Sequence, residues 1–590
     1  MKPKTLYSFK ILEKKLPTDK YKKLKFFSGI FLFSFVLFAA SLFLTVTKPV
    51  PGEGGRYIEG IVGYPRLINP IYIDKNPVDR DLTKLLYAGL VKYDGEKIIP
   101  DLAERWDISD DQKTYTFYLR QNITWPDGEK FTSNDVKFTF DLIQNKDYKS
   151  PLITSFNNIK IETPDEYTVK FTLPKPLTPF LESLQVGILP AHIWSKVTPE
   201  SIILTDFNIK PIGLGPYVFK DLTKDKFGKI HSYTVVRNKK YHLGKPKIDK
   251  ITLKFYPDFE SALQDLKIGS IDGLNMLPIQ YRDDINDREI NIHRLQLPQY
   301  TAVFFNLTSD SPVKNKEVRK ALAYATDKEK ILKEAIAGNG SIIHGPILPN
   351  YPGFNPNIEK FEFNLQKAEE ILEEDGWKFR QNQHNDKDEN KEKDISDDKK
   401  EKMDDKEDTP PKYRTNKNGD ILEITITTAD VPELSNTAKL LKDNWEKIGV
   451  KVNTNIVDIN TLQTKYISKR NYEILIFGEI IGVDPDPYPF WHSSQISSTG
   501  LNLSNFKNKE ADKVLEDARK TADLKAKNDK YIHFQNILVM DIPAIFLYNP
   551  NYLYPVNKKI KLYPQKRIIT PSDRFANIEK WYINVKRVLK

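Results

Sequence analysis

The sequence predicts a multi-lobed α/β protein carried on one N-terminal membrane helix. Three observations predict it. At 590 residues the chain is too long for a single hydrophobic core. Residues 421–457 read as strand, amphipathic helix and strand, a β-α-β unit that implies parallel sheet. Residues 26–47 form an uncharged apolar run.

That run is long enough, as a helix of roughly 33 Å, to cross about 30 Å of hydrocarbon. Lys20, Lys22, Lys23 and Lys25 precede it, and Lys48 follows. The positive-inside bias therefore places residues 1–25 in the cytoplasm and the rest of the chain outside, as a single-pass protein of the cell membrane. A cleaved signal peptide is the alternative, although no small-x-small site ends the run. Net charge is +10, but nine lysines against Glu13 and Asp19 put +7 of it in residues 1–25. The remaining +3 gives no support to a nucleic-acid partner. Cysteine is absent, which excludes disulfides, thiolate metal sites, a Cys nucleophile and a lipid-modified N-terminal Cys.

Residues 49–55 (PVPGEGG) read as a short linker. Beyond Gly60, residues 114–119, 168–173, 233–237 and 250–256 alternate as strands, punctuated by Pro126-Asp127-Gly128, Pro164-Asp165 and the Gly213 to Pro216 turn. After about residue 300, capped helices take over. Residues 316–325 carry an apolar stripe, Thr326 to Glu329 is a capping box, and residues 365–375 start after Asn364 and stop at Gly376. Residues 381–412 are almost wholly Asp, Glu and Lys. They read as a disordered surface insertion, because they cannot bury enough surface to offset the entropy of ordering them.

The chemistry-bearing stretch is residues 470–495. A buried strand, expected to break at Gly478 and Gly482, leads into Asp484-Pro485-Asp486-Pro487-Tyr488. Two carboxylates beside aromatics on a proline-stiffened loop suit a mouth that captures a cation, at the strand end where α/β ligands dock. The same residues also read as a plain turn. No pair of the eight histidines has metal-ligand spacing, and no nucleophile elbow or phosphate loop occurs. Neither an enzyme, a metal nor a cofactor is expected.

Several blocks in order resemble the extracellular solute-binding proteins of peptide and nickel ABC transporters, the dipeptide- and oligopeptide-binding family. They are Leu67-Ile68-Asn69-Pro70, Leu86 to Leu90, Pro100 to Trp106, Trp125 to Gly128, Pro211 to Tyr217, Gly244 to Asp249, Phe305-Asn306 and Ala368 to Trp377. The resemblance implies a periplasmic-binding-protein-like class II fold. It would have lobe 1 at 58–300 with an extra subdomain at about 85–205, lobe 2 at 301–545, and a return to lobe 1 at 546–590. Two strands would cross near Thr301 to Asn306 and Ile545 to Asn549, with the ligand clamped by hinge closure. It further implies a monomer that takes an oligopeptide and hands it to ABC permease subunits. An Asp at 484 or 486 would pair with the ligand amine, with Tyr488, Asn69 and Asn306 as further contacts. Nickel chelates, oligosaccharides, opines and a non-transport surface receptor are the alternatives.

Overall fold

The computed structural model describes residues 17–176, 180–285, 288–379, 412–482, 485–521, 523–563 and 565–590. The charged insertion expected at 381–412 lies outside the described residues, apart from Lys412.

Helix α1 (Thr18–Val46) contains the apolar run, and its Lys22–Val46 segment has the length and composition of a membrane span. Its large apolar side chains, Phe31 and Phe38 among them, touch nothing in the lobes and stand exposed. Strand β1 (Thr47–Pro51) follows directly. The expected linker is therefore corrected: Thr47 to Pro51 pair antiparallel with the far end of the chain, a partner no local reading of PVPGEGG could supply.

Strand β2 (Arg56–Val62) opens lobe 1. It runs parallel to Lys250–Tyr256, which continues through Ile230–Arg237 to Tyr217–Lys224. Helix α2 (Pro77–Leu86), capped by Asn76, buries Val78, Leu82, Leu85 and Leu86 on this lobe. The extra subdomain is a four-stranded antiparallel sheet, Ala103–Ile108, Thr114–Leu119, Thr168–Thr172 and Lys160–Asp165, covered by Ser133–Gln144.

Strands β3 (Ile290–Gln296) and β4 (Gln299–Phe305) form one crossing. In lobe 2, β4 lies beside β5 (Ile474–Ile480), which joins the parallel pair Glu423–Ala429 and Lys451–Val457 around helix Pro432–Lys447, as the β-α-β reading expects. The expected break at Gly478 does not occur. Gly478 sits opposite Thr301, a Cβ there would meet only Tyr300 O at 3.7 Å, and the strand runs on to Ile480. Helices α3 (Tyr488–Trp491) and α4 (Lys509–Lys520) pack over one face of this sheet.

The second crossing is β6 (Ala544–Asn557), 14 residues long. Residues 544–548 pair with β4 in lobe 2, and residues 551–557 pair with β3 in lobe 1. The crossings thus sit at Leu297-Pro298 and Asn549-Pro550. These points are corrections to the expected 301–306 and 545–549, because the lobe 2 ladder reaches further toward lobe 1 than strand texture suggests. Residues 551–581 then complete lobe 1, and β7 (Val585–Leu589) returns to β1.

Lobe 1 is closed by a buried ionic knot. Arg574, 1% exposed, donates to Glu59 Oε1 at 2.9 Å and to both Asp81 oxygens at 2.8 and 2.6 Å. Tyr554 donates to Glu59 at 2.8 Å, Tyr57 also bonds it, and Ser572 donates to Asp81 at 2.6 Å. Buried charges persist only when paired this fully.

Candidate functional site

The lobes meet along a crevice floored by the two crossings. Asn549 fastens them: its Nδ2 donates to Leu297 O at 3.0 Å and Gln299 O at 2.5 Å. Pro298 O accepts from Ile481 N at 2.7 Å, tying the crossing to the end of β5. Beside it, the Tyr300 hydroxyl donates to Glu479, which is buried in the aromatic layer with Trp491 and Phe546. Burial pushes the Glu479 carboxyl up to about 8. Across the crevice, Arg567 of the return segment donates to Asn350 O at 3.3 Å and lies 5.8 Å from the Tyr351 ring of lobe 2. Burial raises the Tyr351 phenol; Arg567 opposes the shift and Glu182 of lobe 1 adds to it.

Glu182 also stands on the wall of a cavity of about 610 Å³, within the range of small-ligand sites. All its lining belongs to lobe 1. Helix α2 supplies Arg80, Thr83 and Lys84, followed by Tyr87; the extra subdomain supplies Thr154 to Phe156 and Glu182 to Gly187; the return supplies Ile569 to Asp573. Lys84 pairs with Asp573 at 2.7 Å. The Thr83 and Tyr87 hydroxyls are buried there without a hydrogen-bond partner among the described residues. Burial alone drives the Tyr87 phenol well above its ordinary value, so it is a neutral donor. Orphaned buried donors are costly unless something completes them, and a ligand can.

The expected site residues fall elsewhere. Asp484 lies outside the described residues. Asp486 is spent within lobe 2: Arg519 of α4 donates to its Oδ2 from Nε at 2.7 Å and approaches with Nη2 at 2.7 Å, while Tyr488 N donates to Oδ1 at 3.1 Å. Its side chain keeps 10% exposure. Tyr488 is clasped too, with Arg519 3.7 Å over its ring and His492 stacked 4.1 Å away. Asp486, expected to capture an amine, pairs here with Arg519, which stands 33 positions on and gave the local reading no signal.

Asn69 is fully buried, accepts from Ile71 N at 3.1 Å and donates to Asn208 at 3.0 Å. It caps the turn Pro70–Lys75, which carries Ile73 to the cavity wall, and so shapes the site without facing it. Asn306 ends β4 far from the crossing. Its Nδ2 donates to Arg470 O and Tyr472 O at 3.0 and 2.8 Å, and its Oδ1 accepts from Thr308 and Asn505. Both expected ligand contacts thus make internal hydrogen bonds, and Asn306 also lines a separate cavity of about 450 Å³. Sequence reasoning missed Thr83, Tyr87, Glu182 and Glu479. Only Glu479, a lone acid in an apolar strand, carried a signal.

The sequence profile of the bacterial extracellular solute-binding proteins, family 5 (middle), matches residues 97–500. The chain belongs to this family. Oligopeptide-binding protein AppA of Bacillus subtilis is 28% identical over 543 residues, covering 90% of this chain and 92% of AppA. The structure of B. subtilis AppA in complex with a nonapeptide is similar at a TM-score of 0.66 and 27% identity, over 91% of this chain and 100% of that one. NikZ of Campylobacter jejuni in complex with Ni(L-His) reaches a TM-score of 0.67 at 26% identity, over 89% of this chain and 99% of that one. CtaP of Listeria monocytogenes reaches 0.73 at 27%, over 90% and 99%. Family 5 is a family of solute-binding proteins, and the hinged two-lobe arrangement is the architecture that function uses.

Proposed function

We propose that this chain is the peptide-binding subunit of an ABC importer, held at the outer face of the membrane by α1 and working as a monomer. The observation that carries the reading is the pair of strands joining the two lobes, together with a cavity of about 610 Å³ in lobe 1. An extended peptide entering between the lobes pairs its backbone with main-chain groups of the walls. Lys84, Asp573, Arg80 and Glu182 give this wall charges of both signs, which suits a zwitterionic backbone and varied side chains. Closure about Leu297-Pro298 and Asn549-Pro550 buries the ligand and presents a surface to the permease. No covalent step is involved.

The test is mass spectrometry of ligand that co-purifies with the full chain, followed by thermal-shift titration with peptide pools. Binding to the folded state at about 100 times Kd should stabilise it by ~2.7 kcal/mol. Co-purification of a nickel chelate, with no response to peptides, would overturn the reading. Within it, amine recognition rests with Asp484. Asp484→Asn should weaken free-amine peptides by at least about tenfold, ~1.4 kcal/mol, and spare N-acetylated ones. Asp486→Asn should act on both ligand types alike, because its carboxylate answers to Arg519.

A further inference from the structure

Where the chain leaves α1, its far end comes back to meet it. β1 and β7 pair in five registers, from Thr47 opposite Leu589 to Pro51 opposite Val585. Pro49 and Pro51, which have no N–H to give, alternate with the residues that bond across, as a two-stranded ribbon requires. The ribbon also finishes the helix. Arg587 donates to Leu44 O at 3.2 Å, Thr47 O at 3.0 Å and Thr47 Oγ1 at 2.8 Å, and Lys590 N donates to Val46 O at 2.9 Å. Terminal carbonyls of a helix at the edge of a bilayer need such donors, since hydrocarbon offers none.

Above the ribbon the chain stays fastened. Gly52 N donates to Asn584 O at 2.8 Å, Gly54 N to Lys247 O at 2.8 Å, and Glu53 pairs with Arg237 at 3.0 Å and Lys245 at 2.6 Å on lobe 1. No stretch between Val46 and lobe 1 is left to swivel. On the outside of the ribbon, Leu589 is 77% exposed, level with the last turn of α1. Lys48, Lys586 and Lys590 are exposed on the opposite face of the ribbon. An exposed apolar side chain on one face of the ribbon and lysines on the other, beside a membrane helix, fit one surface, the phospholipid headgroup layer.

We propose that β7 is a membrane-docked clamp. Leu589 enters the acyl boundary of the outer leaflet, Lys48, Lys586 and Lys590 meet lipid phosphates from the ribbon's other face, and the ribbon holds lobe 1 at a fixed height above the membrane. This rests on the reading that α1 stays in the membrane.

The absence of cysteine makes the test direct. The full-length chain is reconstituted in vesicles of phosphatidylglycerol and phosphatidylcholine. Pro51→Cys with Val585→Cys, a non-hydrogen-bonded pair and so the closer kind, should form a disulfide on mild oxidation. Pro51→Cys with Lys559→Cys, on lobe 1, should not. A fluorophore sensitive to polarity on Leu589→Cys should shift to the blue and be quenched by lipid spin-labelled near the headgroup. Replacing Lys48, Lys586 and Lys590 by Gln should reduce that quenching. A chain that resists alkaline extraction from the membrane yet shows no disulfide, or leaves the label in water, overturns the clamp and spares the anchor. Recovery of a chain lacking residues 1–46 overturns both.

Discussion

Glu479 is an acid held where water would normally be needed. Its Oε2 accepts from Tyr300, and its Oε1 has no partner among the described residues. Burial raises its carboxyl from 4.5 to about 8, so the fold favours the neutral form. The stability this contributes is complete below the unfolded value of 4.5 and is lost as pH rises through about 8. Glu479→Gln keeps a neutral acceptor for Tyr300. Its melting temperature should therefore fall less than that of the parent between about pH 6 and about pH 9, read by calorimetry. An equal fall in both proteins would show that the carboxyl carries no proton at neutral pH. Asp486 shows the opposite environment in the same segment. The guanidinium of Arg519 pairs with it at 2.7 Å within lobe 2.

At the scale of elements, the crossing strands depend on one side chain. Asn549→Ala removes both bonds to Leu297 and Gln299 and leaves two carbonyls without their donor. It should cost about 1–3 kcal/mol in urea unfolding and reduce the ligand-dependent compaction seen by X-ray scattering. A loss of stability with compaction intact would limit Asn549 to packing. β6 also marks where sequence reading stops. Strands 114–119 and 250–256 were legible because one face of each is buried, so their apolar residues alternate. The unit at 423–457 was legible from its periodic helix and the glycine that stops it. β6 carries Pro550 and Pro555, which read as strand ends. Neither breaks the element, because Pro550 falls at the passage between lobes and Pro555 lies opposite Ile292 within the ladder. The site was less legible still. Its cavity gathers α2, the subdomain and the return, three stretches that only the fold brings together.

For the whole molecule, the ionic knot joins β2, α2 and the return segment. Arg574→Met strands Glu59 and Asp81 as buried carboxylates without a counter-charge and should cost about 3–5 kcal/mol. Replacing Asp81 by Asn in the same chain should recover part of that loss. Strict additivity of the two changes in chemical denaturation would show that the groups do not interact. The knot also orders events in time. Lobe 2, bounded by β4 and the first half of β6, holds nearly all of its own core within one continuous run of sequence. Lobe 1 does not: its cation, Arg574, follows Glu59 by 515 positions and Asp81 by 493. A chain made from its N-terminus therefore carries a finished second lobe on an unfinished first one. Until Arg574 has joined Glu59 and Asp81, the first lobe has no counter-charge for its buried acids.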